Sequence, residues 1–139
     1  MKKELKRPNG ETYATLTHEK ANDLIYLDWN GFLTVDLVKE GSEELLKLIK
    51  AVKCGKILVD NRKVSGPWQA ANEWYQNDWN PRAAKEGLTD MAIIMSENIF
   101  SQLSLQGFAK VTAGVYTTNI FNADGPAREW LKTRKSVLQ

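Results

Sequence analysis

KILVDNRKVSGPWQAANEWYQNDWNPR, residues 56–82, decides how the rest of the chain is read. Its opening, Lys56-Ile57-Leu58-Val59-Asp60, is a short apolar run of the kind that forms a strand covered on both faces. Such a strand is expected at the centre of a parallel sheet. A polar loop then opens on Asp60, and Gly66-Pro67 ends it, with Pro67 suited to the first position of a helix because its missing N–H is not needed there. Along that helix Trp68, Ala71, Tyr75 and Trp79 share one stripe, with Trp74 and Asp78 beside it. Asn80-Pro81 breaks the pattern and predicts a second short helix over residues 81–86.

Upstream, residues 1–10 end in the turn-forming Pro8-Asn9-Gly10 and are expected to be a flexible leader. Glu11–Thr17, rich in Thr and Tyr, reads as a half-buried strand. Leu24–Trp29 reads as a second strand, most simply its antiparallel partner. From Thr34 the period changes: Val35, Val38, Leu45, Leu46, Leu48, Ile49 and Val52 follow helical spacing, with Glu and Lys on the other face. Gly41 is expected to bend this helix or split it in two, leaving Ser42 to cap the second piece, and Gly55 suits the C-terminal stop.

Downstream, Leu88–Met95 predicts another buried strand. Ser96 is expected to cap a helix whose inner face is Ile99, Phe100 and Leu103, with residues 111–114 as a loop. Val115–Phe121 predicts the last strand. Residues 122–126 then start a terminal helix with Ala127, Trp130 and Leu131 facing inward. The fold class is therefore α/β, in the order β-β-α-β-α-β-α-β-α, with a mainly parallel sheet and an antiparallel edge strand. The domain is expected to span residues 11–135, with 136–139 as a tail.

A chain of 139 residues is long enough to bury one core, and its 42% hydrophobic and 26% charged content is that of an ordinary globular domain. The formal charge of +2 is unevenly placed. The two ends, residues 1–7 and 132–139, hold seven basic groups and one acidic group, which leaves twelve basic and sixteen acidic groups on the body. A nucleic-acid binder should carry its basic groups on a structured face, so this distribution argues against nucleic acid as a partner. The single cysteine, Cys54, has no internal disulfide partner. With no long apolar run, the expectation is no stable membrane insertion and a cytoplasmic protein with a reduced thiol.

The element order, together with Phe121-Asn122-Ala123-Asp124 leading to Ala127 and Trp130-Leu131, resembles the SpoIIAA-like proteins, small bacterial domains grouped with STAS domains and loosely with CRAL-TRIO lipid-binding domains. Ile57-Leu58-Val59-Asp60-Asn61-Arg62 is similar to their central strand and the loop after it. The resemblance covers roughly residues 11–135 and implies a β/α superhelical fold, most members of which have no assigned activity. In the phosphoregulated STAS antagonists an Asp-Ser-Ser-Gly motif follows this strand. Here the run is Lys63-Val64-Ser65-Gly66, and the position phosphorylated in those relatives is Val64, which has no hydroxyl.

The candidate ligand- or partner-binding residues are Asp60, Asn61, Arg62, Ser65, Trp68 and Trp79. The first four are expected where open α/β sheets bind ligands, at the carboxyl end of a parallel strand. The tryptophans offer large contact area with a polar handle. Against this, Asp60 and Arg62 would also serve as a simple ion pair, and the aromatic residues as core. His18 and Cys54 stand far apart in sequence, and there is no Gly-rich phosphate cradle, CxxC or HExxH. No cofactor, metal or catalytic residue is expected.

The sequence thus points to a non-enzymatic binding or regulatory module contacting a protein partner or small ligand through residues 60–82. The alternative is a carrier of apolar ligands or lipid, as CRAL-TRIO kinship implies. An exposed sheet edge or an uncovered tryptophan patch would also support a homodimer.

Overall fold

The computed structural model of the chain describes residues 2–134. The proposed tail, residues 136–139, and residue 135 lie outside them. Six strands form one mixed sheet in sequential order: β1 (Lys2–Lys6), β2 (Thr12–Glu19), β3 (Leu24–Phe32), β4 (Lys56–Ser65), β5 (Asp90–Ile94) and β6 (Thr117–Phe121). β1, β2 and β3 pair antiparallel, while β3 through β6 pair parallel. This is the expected mainly parallel α/β architecture with an antiparallel edge.

Residues 2–6, read as leader, are instead the edge strand. Lys2 pairs with Thr17 and Leu5 with Ala14, and Leu5 is the only side chain of β1 that is buried. One apolar residue among four charged ones leaves little periodicity to read. The same composition suits an edge, because lysines discourage further strand addition.

Helix α1 (Val35–Val52) connects β3 to β4. Helix α2 (residues 69–85) connects β4 to β5, and α3 (Ile99–Thr112) connects β5 to β6. Each crossover steps one strand in the same direction, so connections of one hand leave all three helices on one face. Side chains of α1, α2 and α3 accordingly share a core with Ile25, Leu27, Ile57, Val59, Met91 and Ile93. Helix α4 (Asp124–Thr133) covers part of the other face, where Ala127 and Leu131 meet Leu24, Leu58, Ala92 and Ile94. Full burial of one such aliphatic side chain stabilises the fold by roughly 1.5–3 kcal/mol.

α1 is one continuous helix, capped by Thr34, whose Oγ1 accepts the Leu37 N–H at 3.2 Å. Gly41 neither bends nor splits it. A Cβ at Gly41 would stand 2.4 Å from Cη2 of Trp29, so the position is a close approach between helix and sheet. Ser42, freed from any capping role, shares a 2.7 Å hydrogen bond with the Tyr75 hydroxyl, and its carbonyl accepts the Trp79 Nε1–H at 2.8 Å. The left-handed residue ending α1 is Lys53, at φ 54°, rather than Gly55. Gly55 is required for another reason, since a Cβ there would meet the Gly87 carbonyl oxygen at 2.2 Å.

α2 also runs unbroken where Asn80-Pro81 was expected to stop it. It begins as a 3-10 turn (Gln69–Ala71), continues as an α-turn (Asn72–Trp74), widens to a π-turn (Tyr75–Trp79) and returns to α geometry (Asn80–Lys85). A proline offers no N–H and its ring crowds the carbonyl four residues back. The Asn80 N–H bonds the Tyr75 carbonyl five residues back, and the wider turn lets the helix pass Pro81.

In a helix interior, glycine to alanine ordinarily stabilises by about 1 kcal/mol. Gly41→Ala should reverse that sign, destabilising the protein by about 1–3 kcal/mol through overpacking against Trp29. Urea denaturation followed by tryptophan fluorescence measures it, and a stabilised variant would show that the indole moves freely.

Candidate functional site

β4 is longer than its apolar run: Asp60 through Ser65, read as a loop, continue the strand beside β3. The register changes on the way. Asp28 faces Asp60, but Asn30 faces Lys63, so β4 holds one extra residue between these pairs. Such a bulge re-aims side chains. The alternation of a strand and this one irregularity sort the candidate residues between the two faces of the sheet.

Asp60 lies on the α4 side with Tyr26. Its Oδ2 accepts from the Tyr26 hydroxyl at 2.6 Å and from Nη2 of Arg62 at 2.7 Å, and its Oδ1 accepts from the Arg62 backbone N–H at 3.0 Å. Lys63 pairs with Asp28 at 3.1 Å on the same surface. Burial raises the Asp60 carboxyl, but the bonds from Arg62 and Tyr26 outweigh it and hold the group below its ordinary value. Burial, reinforced by Asp60, pushes the Tyr26 hydroxyl up, so it remains a donor. Both oxygens of Asp60 are engaged by the protein's own groups, the ion-pair alternative weighed from the sequence.

Asn61 points the other way. With Trp29, Trp68, Tyr75, Trp79 and Phe108 it lines a cavity of about 40 Å³ under α1, α2 and α3. Trp79 is fully buried and fixed by Ser42. Tyr75 sits edge-on to both Trp79 and Phe108, with ring centroids 5.6 and 4.8 Å away. Burial raises the Tyr75 hydroxyl, which keeps it a neutral partner of Ser42. Asp60 and Arg62 are thus separated by the sheet from the indoles they were expected to adjoin.

Ser65 and Trp68 remain together at the carboxyl-terminal edge. Ser65 is exposed and pairs with Phe32 at the end of β3, whose ring lies over Gly66. Trp68 is half-buried. Its N–H bonds Ser104 Oγ at 2.9 Å and its Nε1–H makes a longer contact to Ser101 Oγ at 3.4 Å, so it rests on α3.

The cap of α3 is Asn98, accepting from the Phe100 and Ser101 N–H groups, rather than Ser96. Ser96 instead donates to the Val64 carbonyl at 2.8 Å and ties this loop to β4. The inner face of α3 is Ser101, Ser104, Leu105, Phe108 and Thr112. Ile99, Phe100 and Leu103, expected inside, are 57%, 57% and 51% exposed. The inner set has the i, i+3, i+4, i+7, i+11 spacing of a helix face, but three of its five residues carry hydroxyls, so apolar spacing alone points to the wrong side.

Cys54 is buried and burial pushes its thiol up, which disfavours the reactive thiolate. His18 lies on β2, where it pairs with Ile25 of β3. Among the described residues, no group of three His, Cys, Asp or Glu side chains is placed to hold a metal ion. No protein-family model, curated protein or solved structure matches this chain.

A carboxylate held below its unfolded value contributes stability that is complete above that value and lost as pH falls through the folded one. For Asp60, ordinarily 3.8, the loss falls below about pH 4. Asp60→Asn should therefore cost about 2 kcal/mol at pH 7, the scale of charge-assisted hydrogen bonds. The gap to the unmodified protein should narrow on acidification below about pH 4. Denaturation midpoints across that range test the sign, and a gap that widens in acid would contradict it.

Proposed function

We propose that this protein is a non-enzymatic binding or regulatory module of SpoIIAA-like type, acting in the cytoplasm through a protein partner seated on its carboxyl-terminal edge. The observation that carries this reading is the apolar surface of Phe32, Ile99, Phe100 and Leu103, each more than half exposed, beside Ser65 and Trp68. Single exposed apolar residues are common on proteins, but several large ones grouped at the edge where α/β sheets present their ligands mark a contact site. The i, i+1 and i+4 spacing of Ile99, Phe100 and Leu103 gives a narrow ridge, suited to the apolar face of an amphipathic helix.

The surface differs from the one expected over residues 60–82. Trp79 contributes from inside, as a buried support for Tyr75, and Asp60 and Arg62 stabilise the opposite face. Ser65 and Trp68 stay in the contact region, joined by α3. Carriage of lipid is less well supported, because a cavity of about 40 Å³ is far smaller than the roughly 300–1,000 Å³ of small-molecule sites. No helix among the described residues is long and apolar enough to cross a membrane.

A photo-crosslinking residue at Phe100 should give one discrete adduct with another protein in the native host, and Leu103→Asp should abolish it at unchanged thermal stability. The same probe at Glu129, on α4, is the control. Equal adducts from both positions, or none from Phe100, would overturn the reading. An adduct of twice the chain's own mass would assign the surface to a homodimer.

A further inference from the structure

We propose that the cavity behind Trp68 binds a small neutral molecule bearing one hydroxyl, carbonyl or amide group, with the Asn61 carboxamide as its polar anchor. This rests on the inward side of Trp68 and α3 and does not depend on the partner reading, which uses their outer side.

Strand alternation past Ile57 and Val59 is what turns Asn61 into the helical core. There the residue is 4% exposed, and its carboxamide makes no hydrogen bond among the described residues. Several other polar groups around it have partners within the protein. Ser42 and Tyr75 share a hydrogen bond, Trp79 Nε1–H is held by the Ser42 carbonyl, and Trp68 N–H by Ser104. The comparison with Asn80, also buried, is direct: its Nδ2 donates to the Val111 carbonyl at 3.2 Å and its Oδ1 accepts from Tyr116 at 2.8 Å. An amide has two donors and an acceptor to satisfy, and the great majority of buried polar atoms find partners. Asn61 carries that unmet capacity into a wall of aromatic rings.

The chemistry of the wall selects the ligand class. No charged side chain lines the cavity, so an ionised ligand would be desolvated without a counter-charge. Trp29, Trp68, Tyr75, Trp79 and Phe108 favour a flat or short apolar body, and Asn61 offers both donor and acceptor to one polar substituent. About 40 Å³ suits a water or two, so a single-ring molecule requires one wall to yield. Trp68 is the wall that can, being only half-buried with its Nε1–H at 3.4 Å from Ser101 Oγ, whereas Trp79 is fully buried with its Nε1–H at 2.8 Å.

Phenol and toluene, titrated separately into the full-length protein, test this by the shifts of the Asn61 side-chain amide in nitrogen–proton spectra. Phenol should move that signal and bind about tenfold more tightly than toluene, the effect of one hydrogen bond. Asn61→Leu should bind the two alike and melt at a higher temperature, because the unmatched amide is gone. Trp68→Ala should bind phenol more tightly by opening the wall.

Should Asn61→Leu not fold, Asn61→Ala makes the same phenol-to-toluene comparison. Phe100→Ser should respond to phenol like the unmodified protein, which separates this outcome from failure of the partner surface. An amide signal unmoved by millimolar phenol in both the unmodified and Trp68→Ala proteins would overturn the proposal. So would undiminished preference for phenol in the Asn61 variant, or a crystal structure in which a water bound to Asn61 survives soaking with phenol.

Discussion

A strand covered on both faces must send successive side chains into two separate compartments, and β4 imposes that division on the whole molecule. Ile57 and Val59 enter the core under α1, α2 and α3, and Leu58 enters the one under α4. Polar residues that follow such a run inherit the alternation. Asp60 goes to Tyr26 on the α4 face and Asn61 goes to the aromatic cavity, although they are neighbours in sequence. The extra residue between Asp60 and Lys63 then resets the phase, so that Lys63 faces Asp28 and Val64 rejoins the helical core.

The helical compartment is held by contacts between α1 and α2 that are specific in shape as well as apolar. Gly41 admits the ring of Trp29, which stacks on Tyr13 at a centroid distance of 6.3 Å, and one residue later Ser42 holds both Tyr75 and Trp79. Arg82 adds a partly exposed fork to Glu43 and Asp78 along the same junction. The π-turn belongs to this arrangement, because it lies over Tyr75–Trp79 and carries both aromatic rings that Ser42 engages. Fixing these rings leaves Trp68, at the outer end of α2, as the wall residue with the least support.

The apolar strands and the change of period in α1 were legible in the sequence, because burial on one or two faces writes directly into residue spacing. Contacts between elements were not. Gly41 carries the local signature of a helix break, and only the position of Trp29 makes it a packing residue. Pro81 likewise signals a stop until the π-turn is seen to bypass it. Of the candidate site, the aromatic segment and Asn61 were identified by type and position, but their separation from Asp60 and Arg62 depends on strand continuation past Asp60. Polar residues as dense as Asp60-Asn61-Arg62-Lys63 gave no indication of that. Serines at the inner positions of α3 concealed its exposed ridge in the same way, since their hydroxyls serve Trp68 and the Phe100 carbonyl rather than solvent.

Charge separates the two ends of the sheet as alternation separates its faces. At the amino-terminal ends of β4 and β5, Lys50, Lys53, Lys56 and Lys85 border an open cleft of about 600 Å³. The cleft is larger than the aromatic cavity, yet three of its four lysines already have a structural explanation. Lys50 and Lys85 occupy the last turns of α1 and α2, where the converging carbonyl ends attract cations, and Lys56 is 3.7 Å from Asp23. An anion entering this cleft would have to compete with two helix termini of its own sign. The carboxyl-terminal edge presents the reverse balance, with its backbone groups tied by Ser96, Asn98 and Ser104 and its large apolar side chains left uncovered. Polar groups there are spent on holding the loops in place, so what that edge offers another molecule is shape and apolar surface.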